Sequence, residues 1–186
     1  PVAGAGRQRF PDFEWSIHHN FSGGRIWLGG VIGEIGFEPT AAGTSGMHSK
    51  VKWGVGIAAA YRSGKFAVGG QWHIGEGIGG QYLGGSPTSA VVNINNAGNA
   101  SLHPVLTTGG AVFVQYKITD TIRTNLAYGY VYSDVGADIT RGKNGLGQAN
   151  GLVQNSHSFF ANMIWSPVPQ VNFGIEYQHG FTARYN

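Results

Sequence analysis

Three basic side chains stand close to short turns in the sequence. Arg62, Lys117 and Arg123 each lie within about three residues of a turn rich in Ser, Gly or Thr. If these turns share one edge of the fold, the three cations gather at one opening. Cations clustered in a narrow opening of low dielectric constant raise the local anion concentration, and Arg offers a planar fork that fits a carboxylate. Alternatively, each cation is simply solvated at a strand end or paired with Glu176.

Other polar residues are predicted to share a face with these cations. This polar-face set is completed by Lys52, Gln71, His73, Asn125, Glu176 and Arg184. Lys52 and Arg184 stand further from the turns. His73 either contacts a ligand or a loop, or is an ordinary wall residue, and Glu176 either balances the cations or contacts the ligand.

Catalytic and metal chemistry find little support in the sequence. The chain has no Cys, and adjacent His18 and His19 point to opposite faces of a strand, so we predict no metal and no cofactor. No Ser, His and acid are placed together, so we predict no enzyme. Gly75–Gly80 fits G-x-G-x-x-G, but the Gly- and Pro-containing stretch after it cannot form the helix that a nucleotide site needs.

The elements that must position these residues are strands. In Val51–Arg62, apolar side chains at odd positions alternate with small or charged side chains at even positions, as on a strand with two unlike faces. Across the six clearest strands the apolar faces carry no Asp, Glu, Lys or Arg. A bilayer enforces this exclusion, because a charge on the lipid face of a barrel costs roughly 2–4 kcal/mol near the midplane.

Eight strands are predicted, and the connections between them alternate in length. The strands are 13–21, 25–37, 51–62, 66–75, 111–118, 122–133, 157–165 and 171–177. Short turns at 22–24, 63–65, 119–121 and 166–170 alternate with long loops at 38–50, 76–110 and 134–154. Outer-membrane barrels show this asymmetry, with short turns on one side and long loops on the other. The sequence therefore predicts an all-β, antiparallel, up-and-down transmembrane β-barrel.

Composition supports this fold class. Among 186 residues there are 32 Gly, and charged residues make up only 11%, less than half of the roughly 25% of ordinary domains. The 41% apolar content excludes disorder, and no apolar stretch approaches the roughly 20 residues of a spanning helix. The net charge of +3 mildly favours anionic partners, but no block of basic residues indicates a nucleic-acid partner.

Several segments resemble the DcaP-like family of trimeric outer-membrane porins. They are WGVG at 53–56, GEGIGGQY at 75–82, QY at 115–116, DTIRTNLAYGY at 120–130, NMIWSPVP at 162–169 and FGIEY at 173–177. The resemblance implies a 16-stranded barrel about twice as long, a homotrimer in the bacterial outer membrane, and passive diffusion of small anionic solutes such as dicarboxylates. On this basis residues 1–186 are one domain, the C-terminal half of a barrel that lacks its last strands.

The resemblance does not decide where the longest loop lies, and three alternative functions stay open. The longest loop either folds into the pore, with Glu76, Gln81 and Tyr82 as candidate constriction residues, or stays outside. The main alternative function is a self-contained eight-stranded barrel that acts as an anchor or small binding module, which the many inward Gly and Ala disfavour because such a barrel needs bulk to fill it. An outer-membrane lipid enzyme and a soluble ligand-binding barrel are weaker alternatives.

Overall fold

The computed structural model describes residues 4–39, 48–79, 88–94, 100–136 and 151–185, and these ranges hold eleven strands. The strands are β1 (Gly4–Arg7), β2 (Phe13–Phe21), β3 (Gly24–Pro39), β4 (His48–Ser63), β5 (Phe66–Glu76), β6 (Ala90–Ile94), β7 (Ala100–Pro104), β8 (Leu106–Lys117), β9 (Ile122–Asp134), β10 (Val153–Val168) and β11 (Val171–Arg184). Within the described ranges, no helix is both long enough and apolar enough to cross a membrane.

Nine of the strands form one antiparallel meander. The order is β1-β3-β4-β5-β8-β9-β10-β11, and β2 pairs with the same edge of β3 that β1 uses. The up-and-down topology and the eight predicted strands are confirmed. Three short strands were not predicted: β1, and the separate β6–β7 hairpin inside the long loop after β5.

The tight turns fall where the sequence places them, but the strands run further into the loops. Gly23 and Gly64 adopt φ values of 78° and 55°, which a residue with a Cβ rarely adopts, so these two-residue connections need glycine. In contrast, β10 begins at Val153 rather than 157, and β11 ends at Arg184 rather than 177. The prediction ended these strands where the alternation of apolar and polar side chains ends. Hydrogen bonds between backbones do not depend on that alternation, so the pairing continues further.

One face of the sheet, here called the outer face, is apolar and open. Val51 is 62% exposed and Ile175 is 77% exposed. At the short-turn edge, aromatic rings pair across neighbouring strands: Phe21 with Tyr61, Phe66 with Tyr116, and Trp165 with Phe173. Toward the loop edge, His157 stacks on Phe181 with ring centroids 4.4 Å apart. An apolar band with aromatic rings at its edges is the surface that a barrel presents to lipid.

The opposite side, the inner face, carries small and polar residues, and the packed core lies at the loop edge. Buried apolar side chains in the described ranges are Ile78, Val91, Leu102, Val105 and Val135. Val91, Val105 and Val135 form one cluster, against which Tyr185 packs. Burial raises the pKa of the Tyr185 hydroxyl to about 12. The core therefore belongs to the segments that cover the loop edge and not to a second layer.

The sheet is open rather than closed on itself. In the described ranges, β2 pairs only with β3 and β11 pairs only with β10. Nearly every residue of β11 is exposed. The alternative of a self-contained, closed eight-stranded barrel is therefore wrong for this fold, which is a half-barrel wall.

Candidate functional site on the inner face

Strand register brings polar residues from five strands, with Ala67 of β5 between them, into one row on the inner face. Arg62 of β4 lies opposite Ala67 of β5, which lies opposite Gln115 of β8. The row continues through Asn125, Asn162 and Glu176, one residue from each of β9, β10 and β11. Directly opposed side chains on one face lie close enough to interact. We call Gln115, Asn125, Asn162 and Glu176 the amide row.

Hydrogen bonds run through the amide row in a single direction. The Gln115 Nε2 donates to Asn125 Oδ1 at 2.7 Å, and the Asn125 Nδ2 donates to Asn162 Oδ1 at 2.6 Å. The Asn162 Nδ2 then donates to Glu176 Oε2 at 3.1 Å. The positive ends of three amide groups therefore point toward the carboxylate. This arrangement holds Glu176 against the wall and partly compensates its charge.

Two cations stand one step closer to the short turns. Lys117 of β8 and Arg123 of β9 lie directly opposite each other. The Arg123 Nη1 donates to Ser166 Oγ at 2.9 Å, and the Ser166 hydroxyl donates to Asn172 Oδ1 at 2.6 Å. Among the described residues, neither cation forms an ion pair with a carboxylate. Like charges in opposed positions repel each other, so this pair favours an anion between them.

Arg25 is an inner-face cation that the sequence analysis missed. It lies opposite Ala60 of β4, two residues from Arg62, at the same short-turn edge. Its Nη2 is 3.1 Å from His18 Nδ1. The faces of β3 could not be assigned because both are apolar, but the tight turn at Gly23 places Arg25 opposite Asn20. Since Asn20 belongs to the polar face of β2, that pairing would have assigned Arg25.

Lys52 is enclosed rather than open to the inner space. Its side chain is 1% exposed, and its Nζ lies 2.7 Å from Asp12 Oδ2. Gly33 makes room for this ion pair, because a Cβ at Gly33 would meet both the Asp12 carboxylate and the Lys52 side chain. Lys52 therefore fixes the segment before β2 onto the inner face at the loop edge.

A second ion pair holds the same segment on the outer side. The Arg9 Nη2 lies 2.6 Å from Glu34 Oε1. The hydrogen bond to the Glu34 carboxylate raises the pKa of the Arg9 guanidinium above its ordinary value. The ion pairs Lys52–Asp12 and Arg9–Glu34 therefore hold the connection between β1 and β2 against β3, one on each face.

The remaining predicted residues are spread over the wall. Gln71 and His73 lie on the inner face of β5. Arg184 is exposed near the loop edge, where its Nη1 donates to the Gly151 carbonyl at 2.6 Å. Glu76 ends β5 opposite Trp53 and so points to the outer face, which does not suit a constriction residue. Gln81 and Tyr82 lie outside the described residues.

A hollow of about 440 Å³ occupies the inner face of β2–β5. Its inner lining includes Glu14, Ser16, Trp27, Gln71, His73 and Ile78. Trp27 rests on the wall because its neighbours Gly29 and Gly56 have no side chains, and a Cβ on either one would meet the indole ring. In the described ranges, no group of three His, Asp or Glu side chains is placed to hold a metal ion.

An antiparallel wall with an apolar, aromatic-edged outer face and a polar, cation-bearing inner face is typical of a transmembrane β-barrel. The solved structures include a protein with this fold, the outer membrane channel DcaP of Acinetobacter baumannii, with a TM-score of 0.82 and 22% sequence identity. The similarity covers 98% of this chain and 48% of that channel, so the chain spans about half the length of its match. No protein-family model and no curated protein sequence matches the chain. The structural match confirms the DcaP-like barrel fold that the sequence motifs predicted.

Proposed function

We propose that this chain forms part of the wall of a bacterial outer-membrane porin, through which small hydrophilic solutes diffuse with a mild preference for anions. One observation carries the proposal. Arg25, Arg62, Lys117 and Arg123 share the inner face at the short-turn edge, and none of them is ion-paired within the described residues.

The balance of charge on this wall sets the expected sign of selectivity. Rings of charged side chains determine which ions a pore admits. Two acids stand near these cations: Glu176, which is held by Asn162 at the end of the amide row, and Asp120 in the turn between Lys117 and Arg123. The four cations therefore outnumber these two acids at the short-turn edge, and the electrostatic potential there favours anions. Because water fills such a lumen and screens the charges, the preference is mild.

The family resemblance supports the proposed class of solute and the proposed assembly. Dicarboxylates suit paired cations such as Lys117 and Arg123, because each carboxylate can accept hydrogen bonds from one of them. The DcaP-like resemblance also leads us to propose a homotrimer embedded in outer-membrane lipid. Passive diffusion through such a channel requires no catalytic group and no cofactor.

Reversal potentials in a planar bilayer test the proposal. With full-length protein and a KCl gradient, we expect chloride to be more permeant than potassium. The double variant Lys117→Gln with Arg123→Gln should shift the permeability ratio toward potassium. Arg7→Gln is the matched control, because Arg7 is an exposed cation paired with Glu38 in β1 and β3, away from the short-turn edge. A strong potassium preference in the unmodified channel would contradict the proposal.

A further inference from the structure

The chain turns inward directly after β5. Gly77 has a φ of 77°, and a Cβ at this position would lie 2.8 Å from the Lys52 Cβ. The Gly77 amide donates to the Val105 carbonyl at 3.0 Å, which ties the start of the long loop to its end. Only glycine can pass this close to Lys52, so the backbone itself directs the next residue onto the inner face.

That next residue, Ile78, fits into a recess formed by two glycines. Ile78 is 3% exposed. A Cβ on Gly54 would lie 3.0 Å from the Ile78 Cδ1, and one on Gly75 would lie 2.8 Å from the same atom. Val31 of β3 borders the recess. We call Gly54 and Gly75 the glycine socket, since the missing side chains create the space that Ile78 fills.

The rest of the described loop continues along the same wall. Strand β7 lies beside β3 and β4. At the other end of the loop, Val105 packs with Val91 and Val135, and its amide donates to the Ser89 carbonyl at 2.9 Å. The loop is therefore fixed at its base by this cluster and at its beginning by Ile78.

We propose that Ile78 is a positioning residue that holds Gly77–Gly79, β6 and β7 against the inner face of β3–β5. The solute path is then displaced to the opposite part of the wall, β8–β11, where the amide row and Arg123 lie. The inference rests on the proposed porin function, because it assigns the route within that pore. It also makes a claim about the fold alone, namely that Ile78 keeps Lys52 covered.

The test compares Ile78→Ala with Ile74→Ala in the full-length protein. Both variants remove the same atoms, but Ile74 lies opposite Val55 on the outer face and is 37% exposed. Truncating a buried Ile removes its packing and leaves a cavity, so the loop should open more often. We expect the acetylation rate of Lys52 by an amine-reactive reagent to rise about tenfold or more in Ile78→Ala. Peptide mass spectrometry reads this rate, with exposed Lys117 as the internal reference.

Two further variants distinguish the loss of the Ile78 contact from general misfolding. Gly54→Ala partly fills the socket and should also uncover Lys52, whereas Ile78→Val keeps most of the contact and should not. In a planar bilayer, Ile78→Ala and Gly54→Ala should increase single-channel conductance, and Ile74→Ala and Ile78→Val should leave it unchanged.

The outcomes separate the inference from the proposed function. Faster Lys52 acetylation in Ile78→Ala, without channels in any variant, supports the anchor and overturns the porin proposal. Anion-selective channels whose conductance and Lys52 acetylation are the same in Ile78→Ala and Ile74→Ala overturn the inference and leave the porin proposal standing.

Discussion

Asn162 occupies the centre of the amide row, and its replacement by Ala should lower the free energy of unfolding measurably. The variant loses one neutral hydrogen bond to Asn125 and one hydrogen bond to the carboxylate of Glu176. Net contributions are about 0.5–1.5 kcal/mol for a neutral bond and about 1.5–3 kcal/mol for a bond to a charged group. Since the row borders water, we use the lower end of both ranges. The expected loss is about 2 kcal/mol.

The same reasoning ranks the variants of the amide row. Gln115→Ala loses one neutral bond and should cost about 0.5 kcal/mol, and Asn125→Ala loses two and should cost about 1 kcal/mol. Gln178→Ala is the matched control, because Gln178 is an exposed amide on the inner face of β11. Combining Asn125→Ala with Asn162→Ala should cost less than the sum of the two, since both single variants break the same bond.

Urea-induced unfolding in lipid vesicles, followed by the fluorescence of the five Trp residues, measures these differences. The midpoint should fall in the order Gln178→Ala, Gln115→Ala, Asn125→Ala, Asn162→Ala. If Asn162→Ala unfolds at the same urea concentration as Gln178→Ala, the amide row adds no stability and the reasoning fails. If the double variant is strictly additive, Asn125 and Asn162 do not interact.

Three further predictions concern the outer face, a turn and the enclosed ion pair. Ile175→Arg should lower the free energy of unfolding by about 1–2 kcal/mol, because Ile175 faces lipid but lies close to the aromatic ring of Phe173, and the cost of a lipid-facing Arg falls toward the interface. Gln178→Arg on the inner face of the same strand should cost little, and equal urea midpoints would contradict the assignment of faces. Gly23→Ala should cost about 1–2 kcal/mol because of its positive φ, and Gly23→Asn should cost less; thermal unfolding of the two variants provides the comparison. Lys52→Met removes the cation that pairs with the Asp12 carboxylate, which keeps its hydrogen bond from Gln8, and should cost on the order of 3 kcal/mol. Adding Asp12→Asn should restore stability, and no recovery in chemical denaturation would refute the pairing.

The eight long strands were predictable because a lipid-facing strand must keep charged side chains off one face. Side chains of β4 such as Val51 and Trp53 face the bilayer, so charge is excluded from every second position and the period of two becomes visible. Turns at Gly23 and Gly64 then fix the registers of β2 with β3 and of β4 with β5. No tight turn joins β9 to β10, whose register brings Asn125 opposite Asn162. The sequence analysis chose Asn125 and Glu176 but missed Gln115 and Asn162, which belong to the same row.

The loop edge could not be predicted, because the alternation rule ends where side chains of both faces become covered. Val31, an apolar residue on the inner face of β3, borders the same recess at Gly54 that Ile78 of the loop fills. Lys52 has the sequence position of an inward cation, and the segment before β2 supplies Asp12 as an ion-pair partner for it. Pairings of this kind depend on contacts between distant segments, and neither periodicity nor composition records them.

The two free edges of the sheet have a topological consequence. Eight strands that alternate in direction leave β2 and β11 running oppositely, and within the part of the chain that the structure describes each of them has one edge of amide and carbonyl groups that no strand pairs. Hydrocarbon cannot hydrogen-bond to such groups, and each one left bare costs several kcal/mol. Strands that close this sheet into a ring with antiparallel pairing throughout must therefore be even in number, because β2 and β11 run in opposite directions.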